Sequence, residues 1–266
     1  MSWEGLTELG EDQLFMYFLT MGLCMARIMA FFVQAPIWGS KHINTKIKVG
    51  FMLALTIIVW PNIPIPHEVP GGFVTFMLLL CVQITVGLVI GFISFIPMAM
   101  AQFGGELADI QMGLSSAATQ DPSSKGTVNL IRRLHFYFAM LVFMMLNGHH
   151  VLIKALVKSF DVVPLTGAQF SGKLVLELIT MTGQLIEVGV QIGLPVLGAL
   201  FMVQIALGIM ARVAPQMNVF MLSFPINIMT GLTMLTAAMP IFLRKLGPLF
   251  EENIQMVVNA INYMQP

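Results

Sequence analysis

Ser115 and Ser116 follow Gly113-Leu114 in a chain that is otherwise largely apolar. A serine in that setting is the nucleophile that an intramembrane protease would need. The chemistry also requires a general base, usually histidine, within hydrogen-bond reach on a neighbouring helix. His135, His149 and His150 are available, but no spacing brings any of them to the serines. His149-His150 raises metal binding instead. Adjacent helical residues point about 100° apart, which suits chelation poorly. The pair reads better as polar residues at a helix end after Asn147-Gly148. Neither a P-loop nor a GxGxxG pattern occurs, so no nucleotide site is expected. Cys24 and Cys81 lie in apolar runs and read as small buried hydrophobes. No enzyme, cofactor or metal centre is expected.

Two other features call for a physical explanation. Arg27 lies inside the first apolar run. A charge there needs a carboxylate, a backbone carbonyl or a wet cavity, and a salt bridge to another helix is the expected solution. The second feature is the stretch from Gly104 to Pro122, rich in Gly, Ser, Ala and carboxylates. It separates two segments without formal charge, Val69 to Gly105 and Leu134 to Ile153. Facing lipid, its polar groups would go unpaired. It must meet water, a protein-lined cavity or a pore, and Met112 is suited to an adaptable seal there.

The elements that position these residues follow from composition. Hydrophobic residues make up 57% of the chain and charged residues 10%, and mean hydropathy is +0.86. Soluble domains carry about 25% charged residues. The chain therefore reads as an all-α, polytopic integral membrane protein. Its net charge of zero gives no reason to expect a nucleic-acid partner. The acidic N-terminus lacks the basic region of a cleavable signal, so the first apolar run is expected to be retained. Six apolar runs can be drawn, at 14–38, 47–66, 73–103, 134–153, 188–211 and 213–243.

Several runs fit a single membrane span poorly. Val69 to Gly105 as one helix would extend about 55 Å, against a bilayer core of about 30 Å. Gly87, Gly91 and Pro97 are expected to break or kink it. Pro225 and Pro240 punctuate the last run. Lysines and arginines set no clear orientation. These misfits point to helices buried against protein, in one subunit of a larger hydrophobic assembly. Residues 172–211 form a long helical pattern, 212–218 a turn around Pro215, and 219–263 a second long helix, together a helical hairpin.

Four blocks of residues resemble the FliR/SctT family of type III secretion export-gate proteins. The first runs from Arg27 through Ala35-Pro36 to Lys46-Ile47-Lys48-Val49-Gly50. The second is Gly105-Glu106, Gln111-Met112-Gly113-Leu114 and Asp121-Pro122. The third is Asn147-Gly148-His149. The fourth is Leu194-Pro195-Val196, then Leu207 to Phe220 with Arg212, Pro215 and Gln216, then Phe224-Pro225. The resemblance covers nearly the whole chain.

It implies a structural and gating subunit of the flagellar export channel in the bacterial inner membrane, within the flagellar basal body. The implied partners are FliP and FliQ, with FlhA, FlhB, membrane lipid and the unfolded flagellar substrates. It implies a FliP-like part, residues 1–171, and a FliQ-like hairpin, residues 172–266. It also implies a pore plug within about 104–124, carried by Ile110, Gln111, Met112, Gly113, Leu114, Ser115, Ser116, Asp121 and Pro122. Structural or assembly roles are implied for Arg27, Pro36, Glu106, Asn147, Gly148, Pro195, Arg212, Pro215, Gln216 and Pro225. A secondary transporter for a small solute is the alternative from the residues alone, since broken helices and buried polar groups suit it too.

Overall fold

A computed structural model describes residues 11–39, 43–63, 72–114 and 129–265. Every regular element among them is helical. The order is α1 (Glu11–Gln34), α2 (Thr45–Val59) with a 3₁₀ turn (Trp60–Asn62), α3 (Phe73–Gln111), α4 (Leu130–Met145), α5 (Gly148–Val162), α6 (Gly172–Val213) and α7 (Val219–Tyr263). Four helices are long and apolar enough to cross a membrane, and the broken pair α4–α5 raises this to as many as five. The protein is an all-α polytopic membrane protein. Helices α3, α6 and α7 contain 39, 42 and 45 residues, about twice the length of 20 or so that spans a bilayer core.

The expected breaks do not all occur. Helix α3 runs unbroken through Gly87, Gly91 and Pro97. Helix α7 likewise runs through Pro225, Pro240 and Pro248. A proline inside a helix removes one backbone hydrogen bond, and tightly packed neighbours can hold such a helix together. The real break lies in the run 134–153, where Asn147 adopts a left-handed φ of 54°. Asparagine tolerates that conformation, so α4 ends and α5 begins there. The C-terminal hairpin follows the sequence expectation. Ala214 to Asn218 connects α6 to α7, and the Asn218 side chain accepts from the Met221 amide at 3.3 Å.

The chain packs into two compact units, each assembled from separated segments. One comprises residues 1–95, 147–179 and 252–266. In it Gly87 and Gly91 form a close face of α3 against α1. A methyl at Gly87 would lie 2.8 Å from the Ala30 Cβ, and one at Gly91 would lie 2.9 Å from the Phe31 carbonyl oxygen. Phe32 gathers Phe31, Trp38 and Phe51, with ring centroids 5.1–5.6 Å away. Trp38 is presented by a γ-turn at Ile37, whose φ is 72°, with the Trp38 amide donating to the Pro36 carbonyl at 2.9 Å.

The other unit comprises residues 96–146 and 180–251. Here Gly104 and Gly105 let α3 touch two helices at once. A methyl at Gly104 would lie 2.8 Å from the Gly189 carbonyl oxygen on α6. One at Gly105 would lie 2.8 Å from the Arg132 Cα on α4. Ala108, Met112, Ile131, Val196, Leu200 and Leu235 form the apolar core of this unit.

Candidate functional site

The polar stretch begins as helix rather than loop. Residues 104–111 complete α3, so its glycines are packing contacts and its carboxylates are anchored. Asp109 is fully buried and accepts two backbone amides at the start of α4, Ile131 N at 3.0 Å and Arg132 N at 2.9 Å. A helix N-terminus leaves its first amides unpaired and carries partial positive charge. Asn129, the residue at the cap position, makes no side-chain cap bond. Asp109 therefore caps α4 from another helix. Glu106 meets the Arg132 guanidinium at 3.4 Å, and Arg132 Nε donates to Gln102 Oε1 at 3.3 Å.

Beyond Asp109 the chain turns. Ile110 is 59% exposed, whereas Met112 is fully buried in the apolar core. The Met112 amide donates to the Ala108 carbonyl and the Gly113 amide to the Ile110 carbonyl, at 2.9 and 3.1 Å. Gly113 has a φ of 79°, the left-handed conformation with which glycine commonly ends a helix. Leu114 packs against the same core as Met112. Ser115, Ser116, Asp121 and Pro122 lie outside the described residues.

Among the described residues Arg27 meets no carboxylate. It is fully buried. Its Nε donates to Gln83 Oε1 at 2.7 Å. One terminal nitrogen donates to the Ser159 carbonyl at 2.8 Å and to Ser159 Oγ at 3.2 Å. The other donates to the Val163 carbonyl at 2.9 Å. Ser159 and Val163 lie at the C-terminal end of α5, which carries partial negative charge; the Ser159 carbonyl also accepts the Val163 amide at 2.9 Å. The expected salt bridge is thus replaced by a cation capping a helix C-terminus. The Phe160 ring lies 4.4 Å from the guanidinium carbon. Gln83 completes the network by donating to the Leu165 carbonyl at 2.7 Å.

Known proteins match this chain along most of its length. The profile described as "Bacterial export proteins, family 1" matches residues 18–253. The flagellar biosynthetic protein FliR of Escherichia coli K12 is 32% identical over 240 residues, 90% of this chain and 91% of that one. FliR of Bacillus subtilis 168 is 30% identical over 242 residues, 90% and 93% of the two chains. The Yop proteins translocation protein T of Yersinia pestis is 26% identical over 212 residues, 79% and 81%. The chain belongs to the FliR/SctT family of bacterial export proteins. It is a multi-pass membrane subunit of a type III export apparatus.

The residues that carried the family resemblance are distributed among separate places. Arg27, Pro36, Asn147 and Gly148 belong to the first compact unit, and Pro36 and Gly148 are buried. Glu106, Ile110 to Leu114, Pro195, Arg212, Pro215, Gln216 and Pro225 belong to the second. Pro195 lies inside α6, one residue before the core residue Val196. Arg212 stands in the last turn of α6 and is exposed, as are Pro215 and Gln216 in the connecting turn.

Sequence reasoning missed three residues that complete these sites. Gln83 carried a signal, being one of only two amide side chains, with Gln102, in the uncharged run Val69 to Gly105. Asp109 carried one too, as a carboxylate near the end of such a run. Gly231, whose Cα faces Met112, carried none, because a glycine inside an apolar helix does not reveal its contact. Among the described residues no group of three His, Cys, Asp or Glu side chains comes together as a metal site would require.

Proposed function

We propose that this chain is the plug-bearing subunit of the flagellar export gate in the bacterial inner membrane. In this reading it assembles with FliP and FliQ, next to FlhA and FlhB, and unfolded flagellar substrates pass the gate. It acts as a structural and gating component and not as an enzyme. Residues 1–171 take the place of a FliP-like subunit, and the hairpin of residues 172–266 that of a FliQ-like one. Residues 110–122 form the plug that closes the pore to ions at rest.

One observation supports this reading above the others. The polar stretch is firmly anchored where it begins, with Asp109 capping α4 and Met112 buried in the core, and it then departs through a glycine at positive φ. A fixed base followed by a glycine turn suits a segment that moves aside for a substrate. Deleting residues 112–120 is expected to leave the complex assembled but raise membrane conductance. An assembled deletion complex that conducts no more than wild type would sink the plug reading.

The turn between α6 and α7 carries a second expectation. Arg212 lies in the last turn of α6, where a cation favours the helix dipole, and Pro215 stiffens the connection. Arg212→Ala with Pro215→Ala is expected to lower FliQ incorporation, read by quantifying FliQ in the purified complex. Normal incorporation together with normal motility would remove that role.

A further inference from the structure

The side chain of Met112 is fully buried and faces the backbone of Gly231 on α7. A methyl group at Gly231 would lie 2.6 Å from the Met112 Cγ, 2.7 Å from its Sδ and 2.8 Å from its Cε. Real side chains do not approach so closely. The missing Cβ is therefore a socket, and the length of the Met112 side chain occupies it. The remaining walls belong to the core formed by Ala108, Ile131, Val196, Leu200 and Leu235. Four of these five are exposed by 3% or less, which leaves the thioether little room to yield.

Met112 also occupies a particular place in the chain. It is the residue after α3 ends at Gln111 and the residue before Gly113 turns the chain at positive φ. Two positions earlier, Ile110 is largely exposed. Of the apolar residues assigned to the plug on sequence grounds, Ile110 and Met112 thus have different surroundings. One is held inside the unit and one is presented outward.

We infer that Met112 and Gly231 are a peg and socket that position the segment 110–114, with Met112 as a positioning residue and Ile110 as the apolar residue presented for sealing. The inference rests on the plug reading and sharpens it, since Met112 then acts from within the fold instead of lining a pore. Glycine at 231 is otherwise unfavourable. In a helix interior it costs about 1 kcal/mol relative to alanine. Gly231→Ala should strengthen α7 locally, so a functional defect from it would come from the contact and not from helix loss.

The test uses the full complex, co-purified with its partner subunits and reconstituted in liposomes. Ion conductance is measured at equal amounts of assembled complex. Gly231→Val and Gly231→Ala displace the peg and are expected to raise conductance severalfold, valine more than alanine. Met112→Ala empties the socket and is expected to leak as well. The double variant Met112→Ala with Gly231→Ala puts a methyl where the thioether was, and is expected to recover much of the tight seal. Ile110→Ser should leak while Met112 stays seated.

Wild-type conductance in both Gly231 variants, or a double variant that is no better than the worse single, would overturn the inference. Should Gly231→Val fail to assemble, a lower conductance in the double variant than in Gly231→Ala decides the matter in the same way. The deletion of residues 112–120 separates the two levels. A leaky deletion alongside tight Gly231 variants leaves the plug and removes the peg. A tight deletion removes both.

Discussion

Arg27 and Asp109 are both fully buried charges in membrane-length helices, and both are satisfied by the end of another helix. Arg27 meets carbonyls at the C-terminus of α5, and Asp109 meets amides at the N-terminus of α4. Each charge has the sign that complements the dipole it faces. Their surroundings differ. Arg27 is closed in by Gln83, Ser159 and Phe160, and its acceptors are two carbonyls, an amide and a hydroxyl. Asp109 lies one residue from the exposed Ile110 and three from the end of the buried segment at Met112. The same physical device thus closes a core in one unit and anchors the end of α3 in the other. A lone charge in an apolar run is therefore no sign, by itself, of contact with a transported substrate.

The largest expected effect lies at Arg27. Arg27→Met removes the donors to the Val163 carbonyl and Gln83 Oε1 and leaves the Ser159 carbonyl only the Val163 amide. Each buried acceptor left unsatisfied costs about 1–3 kcal/mol, and the cation facing the α5 C-terminus is lost as well. The variant should accumulate poorly in membranes, as measured by quantitative blotting against a co-expressed reference protein. Near-normal accumulation of Arg27→Met would mean that the cap is dispensable and that the comparison overstates its weight. Arg27→Lys is expected to recover only part, because a point charge cannot serve the acceptors that a planar fork reaches.

Asp109→Ala comes next. It leaves two amides without an acceptor, each worth about 1–3 kcal/mol when buried. Faster hydrogen exchange at Ile131 and Arg132 than elsewhere in α4 is the specific signature. Asp109→Asn should fall between wild type and alanine, since one oxygen remains to accept. Uniform exchange across α4 in Asp109→Ala would show that the cap does not hold this helix end.

The smallest effect is expected at Glu106. Its contact with Arg132 is 3.4 Å long, with side chains 38% and 40% exposed. Exposed ion pairs contribute about 0–1 kcal/mol. Glu106→Gln should leave the thermal midpoint of the purified complex nearly unchanged. A large drop would indicate that Glu106 has a second partner within the assembly, and would move it from the rim of this site to its centre.

What the sequence made legible were features set by local composition and period. Uncharged runs such as Val69 to Gly105 demanded helices in a membrane protein, because only closed backbone hydrogen bonding survives in lipid. The long apolar pattern of residues 172–211, Pro215, and the pattern of residues 219–263 yielded the hairpin, since a turn residue between two helical periods is local information. Pro97 does not end α3, because a proline's disruptive effect is judged for isolated helices, and neighbours decide whether the helix survives.

By itself, the sequence determined the class of the protein, the hairpin and its family, because composition, period and motif order are properties of the chain. Only the tertiary structure decided which groups meet. Arg27 bonds Ser159 across 132 residues, Asp109 reaches Ile131 across 22, and Met112 finds Gly231. Nothing local distinguishes those partners from other carbonyls, amides and glycines. A buried charge must find an acceptor or a donor, but packing selects which one.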